Sequence, residues 1–194
     1  MKSFEYDLCY LQAALDIFEK YLLSDEVFWP LNTSPPPGEP DYPQLTLDGM
    51  LLAAKRLEAR QKTRIQKDQL EQAISDLELN RSRWRVAWEQ KAKRCFRARL
   101  RMWKEFIEEY QNNPQENADR YAYEVRLRVM LDLVKSEINP NNMAEISLLQ
   151  NLDGYLKKVL TQASFIWDGG LQSGFPTETY WYLYGRLPMV SKQS

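Results

Sequence analysis

Six prolines fall within fourteen residues, from Pro30 to Pro43, and then none occurs between Leu47 and Gln111. Proline fixes φ and lacks the backbone donor, so the first stretch can be neither a helix nor a central strand. The second is free to run as helix for about 65 residues, roughly 100 Å at 1.5 Å per residue. This alternation of a stiff strap and an uninterrupted helical tract limits the chain to an all-α class of fold.

The apolar periodicity agrees. Phe4, Leu8, Leu11, Leu15, Phe18 and Leu22 recur at steps of four and three, which places them on one stripe of a helix over residues 3–23. Residues 24–45 form the proline-rich strap, pinned by Phe28, Trp29 and Leu31. The structural role is preferred over that of a PxxP-type ligand for an aromatic groove. Thr46 can cap the helix that follows, with Asp48 in its first turn. From Glu58 to Gln69 only Ala59 and Ile65 are apolar, so this part projects into water or lies in a thin two-helix contact. Apolar phase returns at Leu70, Ile74 and Leu77 and continues through Trp84, Trp88, Ala92, Cys95, Met102 and Phe106. One long helix over residues 46–111 is therefore expected, possible hinge at Asn80 notwithstanding. A helix of that length implies a kink or a coiled-coil partner.

Asn113, Pro114 and Glu116 open a central helix over residues 114–137. Ten of the fourteen residues from Tyr121 to Val134 are apolar, and Glu124, Arg128 and Asp132 stand at i, i+4 spacing as one charged ladder. Asn139 and Pro140 end this run, and Asn142 with Glu145 reads as a capping box for a helix to residue 162. An aromatic tail, 163–194, holds Trp167, Phe175, Tyr180, Trp181, Tyr182 and Tyr184. It is expected to fold back near Trp29, with Thr177 capping a short helix that stops at Gly185. The whole is a single antiparallel helical bundle.

Charge is segregated. Residues 55–104 carry 16 basic and 6 acidic side chains, whereas the entire chain has 26 basic and 27 acidic. Ten of the basic residues lie between Arg81 and Lys104 against Glu89 alone. On a helical wheel Arg83, Lys93, Arg94, Arg97, Arg101 and Lys104 fall within an arc of about 100°, opposite Trp84, Trp88, Cys95, Met102 and Phe106. The rings thus face the core and the cations face out, leaving no stacking platform for single-stranded bases. Arg81, Arg85 and Arg99 lie on the apolar side, where they are expected to stack on tryptophan or meet acids from the central helix. The acidic helices can fold back and neutralise the basic face, or the face stays open to an external anion.

The chain has no histidine, so the commonest general base and transition-metal ligand is missing. Cys9 and Cys95 are read as buried thiols rather than a disulfide or a zinc site. No phosphate loop, dinucleotide fingerprint or GxSxG elbow is present. All-helical nucleotide pyrophosphohydrolases bind Mg²⁺ by carboxylates alone. Glu105, Glu108 and Glu109 with Asp132 are the residues such an enzyme would draw on, but only the ExxE half of the expected pair of motifs is found. The sequence accordingly favours a non-enzymatic protein-interaction or scaffold module without a cofactor. Its docking surface is the face of Arg83, Lys93, Arg94, Arg97, Arg101 and Lys104, and its partner is another protein or a second copy in a homodimer. Nucleic-acid backbone binding is the first alternative and the Mg²⁺ enzyme the second. No segment has the apolar run of a signal peptide or a membrane span, which makes a cytoplasmic location the expectation.

Overall fold

A computed structural model describes residues 2–138 and 144–189. Helices account for nearly all of its regular structure, and none among the described residues is long and apolar enough to cross a membrane. The helix ends read from Asn139, Pro140 and Asn142 lie outside the described residues.

Helix α1 (Phe4–Asp16) starts where the Ser3 hydroxyl accepts the Tyr6 N–H at 3.0 Å, and it continues after a break at Ile17 into α2 (Phe18–Leu23). Its apolar stripe is buried as the spacing requires, except that Leu15 is half-buried. Cys9 is exposed, contrary to expectation, because it lies beside the stripe rather than on it; Cys95 is buried and both thiols are free.

The proline-free tract is not one rod. It forms α3 (Leu47–Ala59), α4 (Arg64–Arg83) and α5 (Arg85–Asn112). The first break is written in the side chains. Lys62 donates to the carbonyls of Leu57, Glu58 and Arg60 at 2.9, 2.8 and 2.6 Å, satisfying the end of α3. Thr63 and Gln66 then form a reciprocal capping box that starts α4. At the second break, Trp84, helical hydrogen bonds continue on both sides, so this is a kink and not a hairpin. The polar α4 lies in a thin contact along α1, burying only Leu70, Ala73 and Leu77.

Helix α5 is the axis of the core, with Trp88, Phe96, Trp103, Phe106 and Tyr110 all buried. Against it packs the central segment, which is broken into α6 (Pro114–Asn117), α7 (Tyr121–Glu124) and α8 (Arg126–Lys135) rather than continuous. The charged ladder is also divided. Arg128 pairs with Asp132 at 2.6 Å and, through two bonds of 2.8 and 2.9 Å, with Asp153 on α9 (Ala144–Val159), while Glu124 turns to Arg120 and Arg126.

The strap is closed by an antiparallel bridge between Trp29 and Leu45, and its Tyr42 ring packs on Tyr6 and Tyr10 of α1 at 4.7 and 5.6 Å. The tail docks elsewhere, on α3 and α7 rather than near Trp29. It contains 3-10 turns at Gly169–Gly174 and Trp181–Leu183, not an α-helix capped by Thr177, and a two-residue ladder of β1 (Thr161–Gln162) with β2 (Gly185–Arg186). The docking is close. A Cβ on Gly174 would stand 2.4 Å from the Ala59 Cβ and 3.2 Å from its Cα, and the Ser173 hydroxyl donates to the Ala59 carbonyl at 3.0 Å. Gly174→Ala is therefore expected to cost about 1–3 kcal/mol by overpacking. Limited proteolysis checks this, through faster cleavage within the tail than in the unaltered chain.

Candidate functional site

The α5 tryptophans are turned inward as the wheel requires, with Trp88 and Trp103 buried and Trp84 half-buried. The six cations opposite are less available than the sequence suggests. Arg94 binds Asp25 at 2.7 Å, Arg97 binds Glu145 at 2.7 Å, Lys104 lies 3.1 Å from Glu108, and Arg101 approaches Glu105 at 4.0 Å. Lys93 has no ion pair among the described residues. Arg83 belongs to the end of α4 beyond the kink, where it stacks on Trp84 at 5.2 Å. Most of the charge on this face is thus offset within the molecule, by pairs that are individually weak because they stand in water.

The acids of the enzyme alternative are divided among other partners. Glu109 pairs with Arg120 at 2.6 Å, and Asp132 is held by Arg128 and by the Tyr182 hydroxyl at 2.7 Å. No group of three or more acidic or cysteine side chains among the described residues is arranged to hold a metal ion. Of the three arginines read as facing the apolar side, Arg81 meets Glu137 at 2.9 Å, just past the central segment, and Arg99 meets the buried Asp48 of α3 instead, whereas Arg85 is exposed and reaches only Glu89 one turn on.

A different feature gathers the chemistry. A cleft of about 580 Å³ opens where α1, the strap, α3, the α7–α8 junction and the tail meet. Tyr6 and Tyr10 enter from α1, and Tyr42 from the strap. Gly49, Leu52 and Arg56 form one face of α3, and Arg60 follows at its C-cap. Tyr123 and Arg126 come from the junction, and Trp167 and Asp168 from the tail. Gly49 is required here, since a Cβ would meet the Thr46 hydroxyl at 2.8 Å and the Tyr10 hydroxyl at 2.9 Å. Trp167 is fixed by its indole N–H, which donates to the Ala122 carbonyl at 3.0 Å.

Five cations line the cleft, Lys2, Arg56, Arg60, Arg99 and Arg126, against Asp41 and Asp168. Their counter-charges are mostly behind them. Arg56 grips the fully buried Asp7 with two bonds, and Arg99 the fully buried Asp48, neither of which reaches the cleft. The Arg126 guanidinium lies over the Tyr123 ring at 3.5 Å and reaches Glu124, again outside the lining, at 3.3 Å. Arg60 joins the Lys2 carbonyl at 2.6 Å and Asp168 at 3.1 Å, and its Nε is buried without a hydrogen-bond partner among the described residues. The Lys2 ammonium sits 4.7 Å from the Tyr6 ring and has no carboxylate partner among the described residues. Burial, then the neighbouring Arg56, pulls its pKa down to about 8. Burial likewise lowers that of Arg126 and raises the Tyr6 phenol to about 12.

One signal in the sequence marks part of this site. Gly49, Leu52 and Arg56 are spaced three and four, a single stripe of α3 that Arg60 extends from the residue capping its end. The remaining residues come from segments far apart in the chain. No known protein family, curated protein or solved structure matches this chain.

Proposed function

We propose that this protein is a non-enzymatic binding module whose ligand is a small molecule held in the cleft between α1, α3 and the tail. One observation carries the reading: a cleft of about 580 Å³ walled by tyrosine and tryptophan, with charged groups converging on it. Ligand sites are typically concave, about 300–1,000 Å³, mostly apolar, and supplied with a few placed polar groups. Holding a ligand needs no proton transfer, and the groups present suit that task. Asp168 is tied to Arg60, and the acids behind Arg56 and Arg99 are committed to those arginines, which leaves them as scaffolding rather than as bases. The cleft is preferred over the outer face of α5 as the docking surface because the latter meets its own carboxylates.

A saturation-transfer screen of a mixed small-molecule library against the full chain tests this. Ala122 is exposed on the cleft wall, so Ala122→Trp places an indole in the opening without touching the core. Hits are expected that bind the unaltered chain and are lost, by about tenfold or more in affinity, in Ala122→Trp. No hits, or hits indifferent to that substitution, would overturn the assignment.

A further inference from the structure

The cleft has a polarity that narrows what it can hold. Three of its ion pairs are oriented alike, with the guanidinium of Arg56, Arg99 or Arg126 on the lining and its carboxylate behind the wall. Such pairs are neutral as a whole, yet each presents its positive end to the interior, so their fields add within the opening. Lys2 adds an ammonium without a carboxylate partner among the described residues, and Arg60 adds a guanidinium that Asp168 holds on one side at 3.1 Å. Beside these donors stand the rings of Tyr42, Tyr123 and Trp167 on the lining, aromatic surface suited to a ring, with Arg126 already over one face of Tyr123.

We propose that the ligand is a planar ring bearing a single oxyanion, a carboxylate or a phosphate ester, with the oxyanion at Lys2, Arg60 and Arg126 and the ring between Tyr42, Tyr123 and Trp167. This rests on the cleft being a ligand site, as argued above, and adds the class of molecule. Charge-assisted hydrogen bonds from ammonium and guanidinium are the strong ones in a desolvated cleft, and the planar fork of Arg126 matches a carboxylate or phosphate edge. The direction in which burial moves Lys2 and Arg126 agrees. Both lose proton affinity where they stand, and an anion brought between them would restore it. Asp41 at the rim is the one lining carboxylate without an ion pair among the described residues, and it sets a limit on how much negative charge the site accepts.

The test uses matched probes on the full chain, with the Trp167 indole N–H resonance, assigned by its loss in Trp167→Phe, as reporter. Phenyl phosphate is compared with phenol and with inorganic phosphate, and benzoate with benzamide. Phenyl phosphate and benzoate are expected to shift that resonance with affinities about tenfold tighter than their neutral partners, and phenyl phosphate to exceed inorganic phosphate by a similar factor. Lys2→Gln and Arg126→Gln, at half-exposed positions, should each remove most of the preference for the charged probe, and Arg97→Gln on α5 should not. Equal binding of neutral and charged partners would overturn the anion while leaving the cleft as a site. Inorganic phosphate binding as tightly as phenyl phosphate would overturn the ring. Failure of every probe to shift Trp167 would overturn the ligand class, while the library screen with Ala122→Trp decides the site by itself.

Discussion

Raising the pH beyond about 10 unfolds this protein within one to two pH units, because five buried phenols cannot ionise in place. Tyr6, Tyr10, Tyr21, Tyr121 and Tyr182 are all buried. Burial is the first cause that pushes each phenol up, to about 12 for Tyr6, with Asp7, Asp48, Cys95 and Asp132 adding to it at Tyr6, Tyr10, Tyr21 and Tyr182 respectively. Several of these hydroxyls also need their protons as donors. Tyr121 donates to the Tyr182 carbonyl at 2.6 Å, Tyr182 to Asp132 at 2.7 Å, and Tyr21 to the Val27 carbonyl at 3.2 Å.

A raised folded pKa means that the native state keeps a proton which the unfolded chain gives up above pH 10. Stability is then fully present below that pH and falls as it is exceeded. The slope is about 1.4 kcal/mol per pH unit for each phenol, so five together approach roughly 7 kcal/mol per unit. Lys91 works in the opposite sense. Burial depresses its pKa to about 8, as it does that of Lys2, so the unfolded chain binds more protons at both between there and 10.5 and stability rises with pH in that window. Three oxygen acceptors, the Ser24 carbonyl and hydroxyl and the Glu26 carbonyl, hold the charged form and limit that rise. The expected profile is shallow up to about pH 10 and steep beyond it. Urea midpoints from circular dichroism across alkaline pH, read beside phenolate absorbance, check this. Phenolate absorbance that climbs fully while helical signal is retained would show that these phenols titrate in the folded state.

How much of this was legible in the sequence depends on whether the relevant residues are neighbours in the chain. The α1 stripe and the inward tryptophans of α5 are periodic over many turns, so period alone placed them. The break at residues 60–63 carried a local signal too, the Thr63 and Gln66 pair of a capping box, but the apolar phase regained at Leu70 masked it. A helix phase can survive a break when the connecting residues happen to restore the angle. The kink at Trp84 had no such signal, since a tryptophan neither caps nor breaks a helix. The Arg128 ladder was half legible: Asp132 is one turn away, whereas Asp153 arrives from another helix and takes the second side of the guanidinium.

The candidate site was legible only in fragments for the same reason. Lys2, Tyr42, Arg56, Arg126 and Trp167 are each unremarkable singly, and only tertiary packing brings them to one opening. Conversely, the outer face of α5 was conspicuous because its cations are close in sequence. Glu105 and Glu108, one turn beyond Arg101 and Lys104, already offered the means to offset it. Local charge density overstates a docking surface whenever i, i+4 partners of opposite sign follow it.

Asp48→Ala should be the most damaging single substitution in the core, with a loss of about 3–5 kcal/mol, because it strands a buried guanidinium. Asp48 is fully buried in the first turn of α3, where Arg99 donates to one carboxylate oxygen and the other has no hydrogen-bond partner. Arg99 is itself buried, with two further donors on the Thr46 hydroxyl at 3.1 Å and the Met102 sulfur at 3.5 Å, and its guanidinium carbon 5.2 Å from the Phe28 ring centre. None of these neighbours carries negative charge. Removing the carboxylate leaves a cation with little access to solvent. Arg99→Met removes the cation instead and leaves Asp48 buried and alone, so it is expected to fall in the same range. The double substitution removes both charges and should recover most of the loss, since an apolar pair of similar volume needs no counter-ion. As a surface control, Arg97→Met breaks the exposed pair with Glu145 and should cost about 1 kcal/mol or less. Urea denaturation of the four variants gives the coupling between Asp48 and Arg99 directly. A double variant no more stable than Asp48→Ala would mean that shape, rather than charge balance, holds this part of the core together.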